Sequence, residues 1–140
     1  MTAKEFLEKL RSLDEHVRVL KLTYSQLKAD IKGLKAVDYS KDRITGGKGS
    51  DISDLIVRCE AKEEEVKEAI VERLRMKAKA IELIGNVDDQ VSCSILLLRY
   101  VNNRSWEVIR SYLHYAESQT YYLHRKAVRE FTEVYNRSES

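Results

Sequence analysis

Between positions 117 and 129 the chain carries a run of side chains that can hydrogen-bond or hold positive charge: Glu117, Ser118, Gln119, Tyr121, Tyr122, Arg125, Lys126 and Arg129. Carboxylate, hydroxyl, amide and guanidinium groups at the start of a helix can donate to or accept from base edges in a DNA groove. Cations a turn further on suit phosphate oxygens. The pattern implies base-facing roles for Glu117, Ser118, Gln119, Tyr121, Tyr122 and Arg125, and phosphate-facing roles for Lys126, Arg129 and, upstream, Arg104. A plainer role exists for each: either tyrosine can pack on another helix, and Arg125 can pair with a glutamate. Over 99–129 six basic residues (Arg99, Arg104, Arg110, Arg125, Lys126, Arg129) face two acidic ones (Glu107, Glu117). That local excess can meet phosphate even though the net charge is only +2.

Reacting constellations do not stand out. His114 and His124 have no second histidine or carboxylate at ligand spacing, and no Ser/His/Asp or Cys/His set appears. The expectation is no enzyme, no cofactor and no metal. Cys59 and Cys93 lie in unrelated segments without C-x-x-C spacing, which predicts buried free thiols. The one glycine cluster, YSKDRITGGKGSD, contains a lysine. A phosphate loop needs G-x-x-x-x-G-K followed by Ser or Thr; here Lys48 is followed by Gly49 and no apolar strand precedes it, so a connector is expected.

The polar run needs an apolar frame to hold it. Ile109 and Leu113 lie four apart, Tyr115 can fill a turn, and Thr120, Leu123 and Ala127 can point back from a second helix. Trp106 and Leu98 would close that core, and Ser105 can cap the first helix of the pair. This frame fits a helix-turn-helix, whose second helix enters the major groove, and it equally fits a bend in a bundle. At two further positions the chain departs from the usual motif: Arg110 stands where a small residue is common and His114 where glycine is common.

The rest of the chain reads as helix. No proline occurs in 140 residues and only five glycines do, so long uninterrupted helices are expected. Phe6, Leu10, Leu13, Val17, Leu20, Tyr24, Leu27, Ile31 and Leu34 recur at alternating spacings of four and three, a heptad seam. A second apolar series runs through Ile52, Leu55, Ile56, Cys59, Val66, Ile70, Leu74, Ile81 and Ile84, interrupted by Lys62 and Glu63. Ser50 or Asp51 would cap that helix, and Gly85-Asn86 would stop it. The expected fold is all-α: a long antiparallel helical hairpin, or coiled coil, over 1–86 (helices about 3–38 and 51–85, Gly-rich loop 40–50), then a helix-turn-helix over 87–140. The interrupted second seam leaves part of the first for another chain, so a homodimer through the coiled coil is a candidate assembly. No apolar stretch of ~18 residues could span a membrane. The N-terminus lacks an apolar signal segment, so a cytoplasmic protein is expected.

Leu98-Arg99-Tyr100, Ser105-Trp106-Glu107, Ile109, Tyr115, Tyr122-Leu123-His124 and Ala127 together resemble region 4 of bacterial sigma factors, and resemble still more the C-terminal part of Gram-positive phage and prophage regulators of the ArpU/RinA type. The MTAKEFL start, GGKGSD and the helix after it also look like uncharacterised phage proteins of that group. The resemblance implies a recognition helix over 117–131, with Glu117, Ser118, Tyr121, Tyr122 and Arg125 at the DNA-contact positions. It implies double-stranded DNA as partner, RNA polymerase as a second candidate, a bacterial host cytoplasm, and late-gene activation as the role. Ala116 stands where that group has a capping serine. The competing expectation is a helical adaptor, sigma-like or part of a packaging assembly, whose degenerate helix-turn-helix binds protein.

Overall fold

The computed structural model describes residues 1–40 and 46–140, with side chains described for 1–36 and 51–140. The fold is all-α. Helix α1 spans Ala3–Ser40 and α2 spans Gly46–Ile84; they form the antiparallel hairpin. Then come α3 (Gln90–Leu96), a π-helical segment (Leu97–Val101), α4 (Trp106–Leu113) and α5 (Glu117–Glu139). Among the described residues no helix is long and apolar enough to cross a membrane.

Helix reaches into both ends of the expected connector at 40–50. Residues 41–45 of it lie outside the described residues, while Gly46 to Ser50 already belong to α2. Glycine weakens a helix by only about 1 kcal/mol per residue and, unlike proline, does not block it. Ser50 and Asp51 therefore lie inside α2 and do not cap it.

The division of the chain also differs from the expected boundary at 86/87. One compact unit comprises Met1–Asp14 with Arg73–Ser140, the other Glu15–Glu72. In the first, Ala3, Phe6, Leu7 and Leu10 of α1 share a core with Ala80, Leu83 and Ile84 of α2 and with Ala127, Phe131, Val134 and Tyr135 of α5. The Phe6 ring lies 6.3 Å from Phe131 and 5.6 Å from Tyr135. Leu7, Leu10 and Phe131 are completely buried, each side chain contributing on the order of 1.5–3 kcal/mol. The C-terminal helices thus take the first turns of α1 into their own core, which no local pattern in 87–140 announces.

Asp14 is the one buried acid of this unit. Its carboxylate lies 3.2 Å from Lys77 Nζ and 3.5 Å from an Arg73 guanidinium nitrogen, and it accepts from Asn103 Nδ2 at 3.1 Å. Burial pushes its pKa up, but the hydrogen bonds and charges of Lys77, Asn103 and Arg73 outweigh that and hold it below the ordinary value. Asn103 sits at φ 54°, in the left-handed region that asparagine tolerates better than most residues.

In the second unit Val17, Leu20 and Ile31 of α1 and Cys59 and Val66 of α2 are buried. Three expected seam residues are exposed instead: Leu34 at 42% in this unit, and Leu74 at 55% and Ile81 at 51% in the first. On α2 the inward line is Cys59, Glu63, Val66, Ile70, Arg73, Lys77, Ala80 and Ile84, again alternating four and three, and every member is buried or half-buried. It is a regular heptad seam that carries three charged residues. Following only apolar residues leads off it, onto Leu74 and Ile81.

Asp89 caps α3 by accepting from Val91 N–H at 2.9 Å. After Leu96 the helix widens to π geometry over Leu97–Val101. Asn102 closes the segment, donating to the Leu97 carbonyl from both its backbone N–H (2.8 Å) and its side chain (3.0 Å). Both cysteines are free; Cys59 is buried and Cys93 half-buried, its thiol directed at the carbonyls of Ile84 and Val87.

Candidate nucleic-acid interface

Helices α4 and α5 are joined by a three-residue turn, His114 to Ala116. Ser105 caps α4, accepting from Val108 N–H at 3.3 Å, and Glu107 sits in the first turn where the helix dipole favours it. His114 ends α4 at φ 61°, the left-handed conformation that glycine adopts freely. Ala116 is extended and offers no side-chain cap to α5. Thr120 is completely buried, its hydroxyl satisfied by donating to the Ala116 carbonyl at 2.9 Å.

The frame closes around Ile109, Thr120 and Ala127, all fully buried, with Leu113, Tyr115 and Leu123 half-buried. Arg110, at the position expected to be small, is half-buried. A second, aromatic layer braces the pair from the side of the π segment. The Arg99 guanidinium lies 4.4 Å from the Trp106 ring centroid, and Trp106 meets His124 edge-on at 4.6 Å and Tyr121 at 5.8 Å. Tyr100 Oη and His124 Nε2 share a 2.7 Å hydrogen bond, its donor set by the imidazole tautomer. Burial, then the charges of Arg99, Lys4 and Arg125, push the His124 pKa down to about 4, so the ring is neutral near pH 7. The role of His124 and this brace were not visible from spacing alone; the signal is His124 four residues after Thr120 on the inward-leaning side of α5.

The outward side of α5 carries most of the expected contact residues. Glu117, Ser118, Gln119, Arg125 and Arg129 are exposed and Tyr122 is 56% exposed. Tyr121 is split, its ring edge against Trp106 and 37% of its surface open. Arg104 is exposed, its backbone held by Arg99, which donates to its carbonyl at 3.1 Å. Lys126 is placed differently from its expected role. Its ammonium lies 2.7 Å from Asp89 and 3.8 Å from Glu130, clamping α5 to the α3 cap. The hydrogen bond to Asp89 raises the Lys126 pKa, and the same bond lowers that of Asp89. Two residues outside the expected contact set are also exposed: Tyr112 at 70% and Val108 at 45%, one turn apart on α4 and about 100° around it from Ile109 and Leu113.

The fold and this surface define an all-α chain built around a tight helix–turn–helix pair. The chain belongs to the family described as a protein of unknown function, DUF1492, which matches residues 33–132. No curated protein and no solved structure matches it.

Proposed function

We propose that this chain is a DNA-binding transcriptional regulator encoded by a phage or prophage, acting in the bacterial cytoplasm as a late-gene activator and not as an enzyme. One observation carries the reading: α5 buries Thr120 and Ala127 completely while its other side presents Ser118, Tyr122, Arg125 and Arg129 to solvent just past a turn short enough to make it a groove-reading helix. The likeness of Leu98–Ala127 to sigma region 4 and to ArpU/RinA-type regulators supports it. Glu117, Ser118, Tyr121, Tyr122 and Arg125 would face bases, and Arg104 and Arg129 phosphates. Lys126 joins them only by leaving Asp89. One such module binds weakly, so a homodimer through the coiled coil, or contact with RNA polymerase, would complete the complex.

The test is titration of a labelled duplex from the gene's own upstream region across a salt series. Affinity should fall steeply with salt, and Arg125→Ala should weaken it by about 1–3 kcal/mol. An affinity indifferent to salt or to Arg125 refutes the proposal. The exposed Val108 and Tyr112 favour a second reading, a protein-binding adaptor. There, Tyr112→Ala would abolish partner capture and leave any duplex binding unchanged.

A further inference from the structure

The unit formed by Glu15–Glu72 is a pair of helices with an open groove of about 300 Å³ between them. Its floor is apolar, made by Tyr24 and Ile31 of α1 and Ile56 and Cys59 of α2. Its two edges carry opposite charge. Lys28, Lys32 and Lys35 line the α1 edge; Glu60 and Glu63 line the α2 edge. None of these three lysines, nor Glu60, makes an ion pair among the described residues, although Lys28 lies over the Tyr24 ring at 5.5 Å; Glu63 meets Lys67 at 3.7 Å along α2 and hydrogen-bonds Tyr24 within the same hairpin. An apolar floor between one basic and one acidic edge is unfinished on its own.

Symmetry decides what fits it. When two copies of one face meet about a two-fold axis, the same patch serves both sides. An axis running along the helices lays the lysine edge of each copy over the glutamate edge of the other, at matching heights, and joins the two floors. An axis across the helices lays lysines over lysines and glutamates over glutamates, which like-charge repulsion disfavours. The first arrangement also sets each α1 antiparallel to the partner's α2, as in an alternating four-helix bundle.

From this we infer that the groove between Tyr24–Lys35 and Ile56–Glu63 is a self-association surface, closed by a second copy of the chain with Lys28 and Lys32 against the partner's glutamate edge. It deepens the dimer named above and rests on no property of α5. Sedimentation equilibrium on the full chain, without DNA, tests it directly. The wild type should approach twice the chain mass as concentration rises. Lys28→Glu with Lys32→Glu should weaken association roughly tenfold or more, and so should Glu60→Lys with Glu63→Lys. Mixing the two variants should restore it, because each then supplies the edge the other lacks. Helicity by circular dichroism checks that both variants fold. A wild type that stays monomeric to its solubility limit overturns the inference, as does a dimer indifferent to both variants or a mixture that fails to recover. The mass readout is independent of duplex binding, so a failed DNA titration leaves this result standing, and the reverse.

Discussion

Replacing Asp14 with alanine strips one carboxylate from between two cations and an amide. Its side chain is 11% exposed, that of Arg73 18% and that of Lys77 27%. Arg73 Nε and Asn103 Oδ1 already lack a hydrogen-bond partner in the described structure, so the site has little spare capacity to absorb the loss. Removing one partner of a fully buried ion pair costs about 3–5 kcal/mol; here both cations keep some water, and about 2–3 kcal/mol is expected. For a chain of this size that is a fall in Tm of roughly 6–12 °C. Thermal and urea unfolding of Asp14→Ala against wild type measure it. The carboxyl is held below its ordinary value in the folded state, so its contribution is fully present above the unfolded pKa of 3.8 and lost as pH falls below it. The gap between wild type and variant should therefore close only in strong acid. Replacing Asp14, Arg73 and Lys77 together with leucine or methionine should recover most of the loss, since no charge is then stranded. An Asp14→Ala variant within about 0.5 kcal/mol of wild type, the size of an ordinary surface change, would refute this account of the cluster.

His124 provides a pH test on the other side of the same unit. Its folded pKa of about 4 lies below the unfolded 6.5, so stability should be flat above pH 6.5 and decline by up to about 3 kcal/mol as pH falls toward 4; an NMR titration placing the ring near 6.5 contradicts it. Ala116→Ser should supply the missing cap of α5 and raise stability by about 1 kcal/mol, read by urea unfolding. His114→Gly should relieve the left-handed backbone at φ 61°, gaining about 1 kcal/mol; a loss would mean the imidazole makes a contact worth more than the strain.

What the sequence made legible was whatever obeys a local rule. The α1 seam as far as Ile31, the Ser105 cap, the turn at 114–116 and the start of α5 at Glu117 follow from spacing, cap chemistry and residue type. The α2 seam was hidden because Glu63, Arg73 and Lys77 occupy positions that a search for apolar residues skips, and their placement makes sense only once Asp14 is seen opposite Arg73 and Lys77. Lys126 looked available because its partner, Asp89, lies 37 positions away. Tyr112 and Val108 could have been found: they lie about 100° around α4 from Ile109 and Leu113, a quarter-turn and more off the stripe that packs on α5.

The joining of the first turns of α1 to α5 has a consequence for how the chain acquires its structure. Tyr135 donates to the carbonyl of Met1 across 134 positions, and Lys79 reaches Glu139 across 60. Contacts of such separation need a very large loop to close before they return any stabilisation. During synthesis the paired long helices can form early, but the unit that carries α4 and α5 must wait until its last helix has left the ribosome. Cutting the chain ahead of Gln90 to isolate the C-terminal helices would leave Phe131 and Tyr135 without Phe6, and a fragment so made should be loosely packed.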